Sequence, residues 1–582
     1  MKEIADSYLD VWGHEKKIDP AVREALERAL GPASSRAGKR AKLAIKRGRC
    51  YQPELLGRGG RLWGFTVQLY GLRSARNWGV GDFGDLRALV ELAAKLGAGV
   101  IGVNPLHATQ GSPYSPSSRH ALNFLYLDME AIPQFAESAA AQRLVRSAPF
   151  QQKLKALRDA ELVDYGAVRE AKLEVLELVF RHVKVKRKFG SFAIFEALRE
   201  KHGGGWQGWP QEYRKPGSPA VRKFVAKHAD RVAFHQWLQD ETRTQLESVQ
   251  RRAHELGMPI GLYVDLALGA DRGGAEVWED QDVFAVDVSC GAPPDEFNPR
   301  GQDWGLPPYS PRALRAAGYR PFIDLLRTNM PKGGALRMDH VMALSRLWWI
   351  PPRETPDRGG YVHYPFQDFL GILCEQGRAR ECLVIGEDLG TVPAELRKAL
   401  NEAGVLSYRP LLFEKQESEF APPGAYPREA LVCVSTHDLP TWRGYWAAHD
   451  LELRTRLGLT VDATKELQQR RFDQEQLARA LEREGLDTSA RSAHAFIART
   501  PCKIAMVQPE DVFELMEQAN LPGTVDQHPN WRRKIPVPLE KWAADPRVAA
   551  LKGAMAERSL DRRRPLRVPG ATYRFQFHKG FR

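Results

Sequence analysis

The sequence has little of what several chemistries need. Its 582 residues include six cysteines, at 50, 290, 374, 382, 433 and 502, with no CxxC pair and no histidine cluster beside them. That spacing argues against a zinc site or a disulfide framework and fits a reducing cytosol. No run of about 18 apolar residues occurs, so no membrane span is expected. The opening Met1-Lys2-Glu3-Ile4 has no apolar signal-peptide core, and the expected location is the cytoplasm. GxGxxG and Walker patterns are absent where they would matter, as is a D-x-D-x-D-G calcium loop, so neither an organic cofactor nor a metal is expected. No internal repeat of solenoid period is visible.

Charge is present in excess, at +13, which raises the question of nucleic acid. The excess is concentrated in residues 36–49, 184–188 and 561–567. These read as linker and surface segments with no RNP or zinc-finger pattern beside them, so a solvated basic surface is the better reading and no nucleic-acid partner is expected.

A hydrophobic content of 43% over this length supports a large core, enough for a barrel of about 250 residues with insertions. Residues 7–31 carry a helical pattern, with Val22, Leu26 and Leu30 spaced by four, closing at Gly31-Pro32. Residues 33–60 read as a basic linker, so 1–60 form a short helical segment plus linker. From residue 62 the pattern becomes apolar strand, loop, helix. Strand candidates are 63–69, 99–103, 259–265, 334–339, 382–386, 405–410, 431–435 and 503–507, with a helix over 83–96. Short runs apolar throughout suit parallel strands buried on both faces. Eight of them predict an α/β fold, a (β/α)₈ TIM barrel, over 61–545. Helix-patterned insertions at about 135–256, with Trp206, Trp209 and Trp237, and at 441–500 would form subdomains around the C-terminal face of the barrel.

Charge recurs at the strand ends. Within Gly333-Gly334-Ala335-Leu336-Arg337-Met338-Asp339-His340, an extended backbone points Arg337 and Asp339 the same way, and Leu336 and Met338 the other. A guanidinium beside Asp339 favours its ionised form, suited to a nucleophile. Asp265 ends a second strand, Glu387-Asp388 follows a third, and His437-Asp438 follows a fourth. Two carboxyl groups acting as nucleophile and acid/base are the chemistry of retaining glycoside transfer. Any one of them could equally cap a loop or pair with arginine; the set together points to a pocket.

Several blocks carry a specific resemblance: Arg337-Met338-Asp339-His340, residues 385–390 (IGEDLG) and residues 435–441 (STHDLPT). With residues 63–85, 112–128, 294–309 and 521–534, they resemble the 4-α-glucanotransferase family (amylomaltase, or disproportionating enzyme; glycoside hydrolase family 77) over roughly residues 1–540. The resemblance implies α-1,4-glucan donors and acceptors, Asp339 as nucleophile, Glu387 as acid/base and Asp438 as a third carboxylate. It further implies that Asp438 is the charged neighbour that raises the Glu387 pKa, that Arg337 aims Asp339, and that His437 binds the same sugar. Asp265 takes a supporting place, and Tyr114 and Trp304 line the glucan cleft. Trp348-Trp349, in an apolar run, read mainly as packing. Carboxylate chemistry alone leaves an α-glucan hydrolase or a non-catalytic glucan-binding scaffold as alternatives.

After residue 541 that pattern ends. Residues 569–581 alternate Tyr, Phe, Phe against Thr, Arg, Gln and resemble the opening strand of maltooligosyltrehalose synthase. Residues 546–582 are therefore expected to be a linker and the truncated start of a fused second enzyme, or else an ordinary C-terminal tail.

Overall fold

Eight parallel strands close into one barrel in the computed structural model, which describes residues 3–10, 13–31, 48–109, 111–184, 188–295, 298–390, 392–416 and 418–558. In chain order they are β1 (Leu62–Val67), β2 (Val100–Val103), β3 (Gly261–Leu266), β4 (Ala335–Met338), β5 (Leu383–Gly386), β6 (Leu406–Pro410), β7 (Ala430–Cys433) and β8 (Ile504–Val507). Each pairs in parallel with its neighbours, and β8 returns to β1. Every strand candidate read from the sequence overlaps one of these. The reason is physical: most of the strands are buried on both faces, so they are short and apolar, whereas β6 alternates, with Ser407 and Arg409 half-buried.

The two faces of β4 show how the layers divide. Ala335 joins the barrel interior with Tyr263, Ile385, Tyr408 and Met506. Leu336 and Met338 pack outward against the helix layer, with Leu326, Leu373 and Val384. The helix Phe83–Leu96 has the bounds expected because both ends carry signals. Asp82 and Asp85 form a capping box, and Gly97 closes the last turn at φ 92°.

Helices fill the two long insertions. Those from Pro133–Glu137 to Ala229–Glu255 lie between β2 and β3, and those from Trp442–Ala447 to Ala490–Arg499 between β7 and β8. Trp206 and Trp209 pack in a separate cluster with Phe195 and Trp278, whereas Trp237 joins the main core. Among the described residues, no helix is long and apolar enough to cross a membrane.

The structure departs from the sequence reading at the N-terminus. Residues 7–10 and 13–19 are not helical: Ser7–Leu9 and Glu15–Lys17 form an antiparallel ribbon. Among the described residues of 7–31, helix runs over Pro20–Leu30, with Asp19 accepting from the Ala21 N–H at its start. The 3.6-residue apolar spacing starts at Val22, so the pattern did not extend back to residue 7. Residues 48–60 are more than a linker, because the turn Glu54–Gly57 places Leu56, wholly buried, in the barrel-interior cluster.

A four-stranded antiparallel sheet was not foreseen. Its order is Gly360–His363, Arg346–Ile350, Ser289–Ala292, Gln302–Leu306. Trp348 and Trp349 are buried in it, in the packing role expected of them. The tail at 569–581 lies outside the described residues.

Gly64 on β1 tests the closeness of the barrel. A Cβ there would sit 1.8 Å from the carbonyl oxygen of Val100, its partner on β2. Gly64→Ala is expected to cost about 1–3 kcal/mol by forcing the strands apart. It should be read as a lower thermal midpoint with unchanged far-UV circular dichroism; an unaltered midpoint would contradict this packing.

Candidate active site

The C-terminal ends of β3, β4, β5 and β7 deliver the polar residues to one place. Arg337 on β4 is in register with Asp265 on β3 and Ile385 on β5. Its Nη1 donates to Asp265 Oδ1 at 2.8 Å, Asp265 Oδ2 at 3.0 Å and Asp339 Oδ1 at 2.9 Å. The guanidinium carbon lies 5.4 Å from the centroid of the Tyr408 ring. Arg337 is 5% exposed. Burial works against its charge, but Asp265, Tyr114 and Asp339 outweigh it and hold the pKa above its ordinary value. Burial and the Asp339 charge raise the Asp265 carboxyl, while Arg337 and the Tyr114 hydroxyl oppose them. Tyr114 donates to Asp265 Oδ2 at 2.6 Å.

Glu387 follows β5 directly and is held by backbone. Its Oε2 accepts from the His340 N–H at 2.9 Å and its Oε1 from the Leu389 N–H at 2.7 Å. His340 adopts a left-handed backbone, φ 46°, uncommon outside glycine and concentrated at functional sites. That turn aims its N–H at Glu387. The loops after β4 and β5 also exchange backbone bonds: the Glu387 N–H donates to Met338 O at 3.0 Å and the Val341 N–H to Glu387 O at 2.9 Å. Burial pushes the Glu387 carboxyl up to about 7, against the lowering effect of Arg337, and the Asp339 charge adds to the rise. The neighbouring carboxylate is thus Asp339, where the sequence reading had assigned that part to Asp438, and burial ranks above either charge.

Asp438 has other partners. Its Oδ2 lies 3.2 Å from His437 Nε2, and its Oδ1 accepts from Asn520 Nδ2 at 2.6 Å. Burial would raise it, but His437 and Asn520 outweigh burial and hold its pKa below the usual carboxylate value. His437 moves the other way: Asp438 raises it against desolvation. The His437 ring stacks on Tyr114, with centroids 4.9 Å apart and planes at 25°. Trp531 tilts against both rings, at 5.2 Å from Tyr114 and 5.4 Å from His437. Across the site Trp304 meets His340 edge-on at 5.1 Å and donates from its indole to Gln302 at 3.2 Å.

The structure therefore brings Asp339, Glu387, Asp438, Arg337, His437, Tyr114, Trp304 and Asp265 into one connected set. Asn520 and Trp531 also belong to it, and the sequence reading had not singled them out. The available signal was position: Trp531 lies inside the block 521–534, and Asn520 immediately precedes it. Among the described residues, no group of three or more His, Cys, Asp or Glu side chains is placed to hold a metal.

Comparison with known proteins agrees on one family. The profile of 4-alpha-glucanotransferase matches residues 67–539. The 4-alpha-glucanotransferase of Haemophilus influenzae is 38% identical over 552 residues, covering 86% of this chain and 79% of the relative. That of Mycobacterium tuberculosis is 37% identical over 547 residues, covering 85% and 75%. Among solved structures, amylomaltase from Corynebacterium glutamicum superposes with a TM-score of 0.82 at 25% identity, over 95% of this chain and 98% of that one. Amylomaltase from Streptococcus agalactiae, in complex with acarbose, shares the fold with a TM-score of 0.70 at 20% identity, over 85% and 98%. A family profile spanning most of the barrel, with relatives of this identity across most of the chain, places the protein: it belongs to the 4-α-glucanotransferase family, glycoside hydrolase family 77.

Proposed function

We propose that the chain transfers α-1,4-glucan segments between maltooligosaccharides, starch and glycogen with retention, through a glycosyl ester on Asp339. One observation carries the assignment of roles. Two carboxyl groups meet at one place under different control: Asp339 accepts from the Arg337 guanidinium, and Glu387 is pushed up to about 7 by burial, with the Asp339 charge adding to the rise.

Arg337 engages Asp339 Oδ1, which leaves Oδ2 as the oxygen presented to the sugar. That oxygen attacks the anomeric carbon as the glycosidic bond breaks, and Glu387 gives its proton to the departing 4-oxygen. Glu387, now ionised, takes the proton of the incoming acceptor 4-hydroxyl. That oxygen displaces Asp339 from the opposite face, and two inversions give retention. Asp438 and His437, joined at 3.2 Å, are assigned to ring hydroxyls of the same sugar. Tyr114 and Trp304 supply apolar surface, and Asp265 shares the guanidinium that aims the nucleophile.

Maltotriose and maltosyl fluoride separate the roles. Wild type should convert maltotriose to glucose plus longer oligomers; glucose and maltose alone would mean hydrolysis. Glu387→Ala should lose roughly 10²- to 10⁴-fold on maltotriose and far less in its first step on the fluoride, whose leaving group needs no proton. Asp339→Ala should be inactive on both. Turnover of the fluoride by Asp339→Ala would overturn the assignment.

The pH profile gives an independent check. The first step needs protonated Glu387, so kcat/KM should fall as pH rises through about 7, by tenfold per pH unit beyond it. A profile that stays flat across that range would remove Glu387 from the acid role.

A further inference from the structure

Six cysteines scattered along the sequence show no pairing by spacing, yet the fold brings two of them together. Cys50 Sγ and Cys374 Sγ lie 2.9 Å apart although 324 residues separate them. Cys50 precedes the turn that leads into β1. Cys374 sits in the helix Phe366–Arg380, which leads into β5. The Cys50 N–H donates to Ala403 O at 2.7 Å, and the Cys374 thiol points at the same carbonyl at 3.8 Å. Ala403 ends the helix Ala394–Glu402, which leads into β6. The pair therefore lies where β5 and β6 begin, at the opposite end of the barrel from Glu387. Arg378, one turn further along the Cys374 helix, donates to Arg49 O at 2.6 Å and so keeps a cation beside both sulfurs.

We propose that Cys50 and Cys374 are a peroxide-sensitive dithiol that closes to a disulfide and staples the segment before β1 to the helix before β5. A disulfide needs the sulfurs at about 2.05 Å, so closure is a sub-ångström movement from the arrangement present. The two sulfurs have different parts. The hydrogen bond with Cys50, with Arg378 adding to it, lowers the Cys374 thiol pKa, while the same bond and burial raise Cys50. Cys374 thiolate attacks one oxygen of hydrogen peroxide, the O–O bond breaks, and the leaving hydroxide takes a proton to become water. Cys50 then attacks Cys374 Sγ, the S–O bond breaks, and a second water leaves. Two thiols and one peroxide give one disulfide and two waters. Both cysteines are buried, which excludes a bulky disulfide reagent and restricts the oxidant to one as small as hydrogen peroxide.

The bond would close a loop of 324 residues, and long loops restrict the unfolded chain most in the chain-entropy account. Its location, away from the site, makes it a device for stability and not for turnover.

The test uses the full-length protein. Hydrogen peroxide is added, scavenged, and the remaining thiols are alkylated before a non-reducing digest. The expected result is a peptide pair crosslinked through Cys50 and Cys374, four alkylated cysteines in place of six, and reversal by dithiothreitol. The thermal midpoint should rise by several degrees on oxidation while the maltotriose turnover rate stays within twofold. Cys50→Ser should lose the crosslink and the midpoint rise together. Cys374 recovered as sulfinic acid beside an intact Cys50 thiol, a crosslink through Cys382, or the same midpoint rise in Cys50→Ser would each overturn the proposal.

Discussion

A guanidinium buried at the C-terminal end of the barrel needs more than one anion, and the site is organised around that requirement. Arg337 is shared between Asp265 on β3 and Asp339 after β4, with the Tyr408 ring beside it. An isolated buried charge would cost several kcal/mol, and removing one partner from a buried pair typically costs about 3–5 kcal/mol. The parallel register of β3 and β4 puts Arg337 opposite Asp265, so barrel closure itself assembles the group. With Asp265 taking up one share of the guanidinium, Asp339 is aimed without being fully enclosed. Its side chain keeps 23% exposure, which fits the nucleophile role proposed for it.

Glu387 is controlled by different means. Among the described residues it pairs with no side-chain cation; two backbone N–H groups fix its oxygens, and burial is the largest influence on its pKa. The left-handed turn at His340 ties the two carboxyls together, because the loop that carries Asp339 also supplies an N–H to Glu387. A change in one loop therefore moves both groups. Asp438 belongs to a third region, where His437, Asn520, Tyr114 and Trp531 arrive from widely separated parts of the chain. The aromatic stack packs beside Asp438, and Trp304 packs beside His340.

What the sequence made legible follows from how strongly local patterning constrains each element. Most of the barrel strands are short apolar runs buried on both faces, so composition marks them. Arg337 and Asp339 share a face because strand side chains alternate. The ribbon Ser7–Leu9 with Glu15–Lys17 carries no such mark: its residues are partly or wholly exposed. The antiparallel sheet went unforeseen because β4 interrupts its strands in the chain, and the pairing that joins its two halves, Ile350 with Ser289, spans 61 positions. Asn520 reaches Asp438 across 82 positions, and Cys50 reaches Cys374 across 324, distances over which periodicity says nothing. The charge raising Glu387 was misassigned for a related reason: strand order shows which carboxyls converge but not which one lies nearest.

The proposed roles stand or fall on whether Asp339 carries the sugar during turnover, with Glu387 as its acid/base partner. The most direct test is to load Glu387→Gln with a 5-fluoro-glucosyl fluoride, which enters without acid assistance and leaves slowly, and to map the modified peptide by mass spectrometry. One glucosyl adduct is expected, on the peptide bearing Asp339 and at that carboxylate. An adduct at Asp265 or Asp438, or inversion of the fluoride with no adduct at all, would contradict those roles.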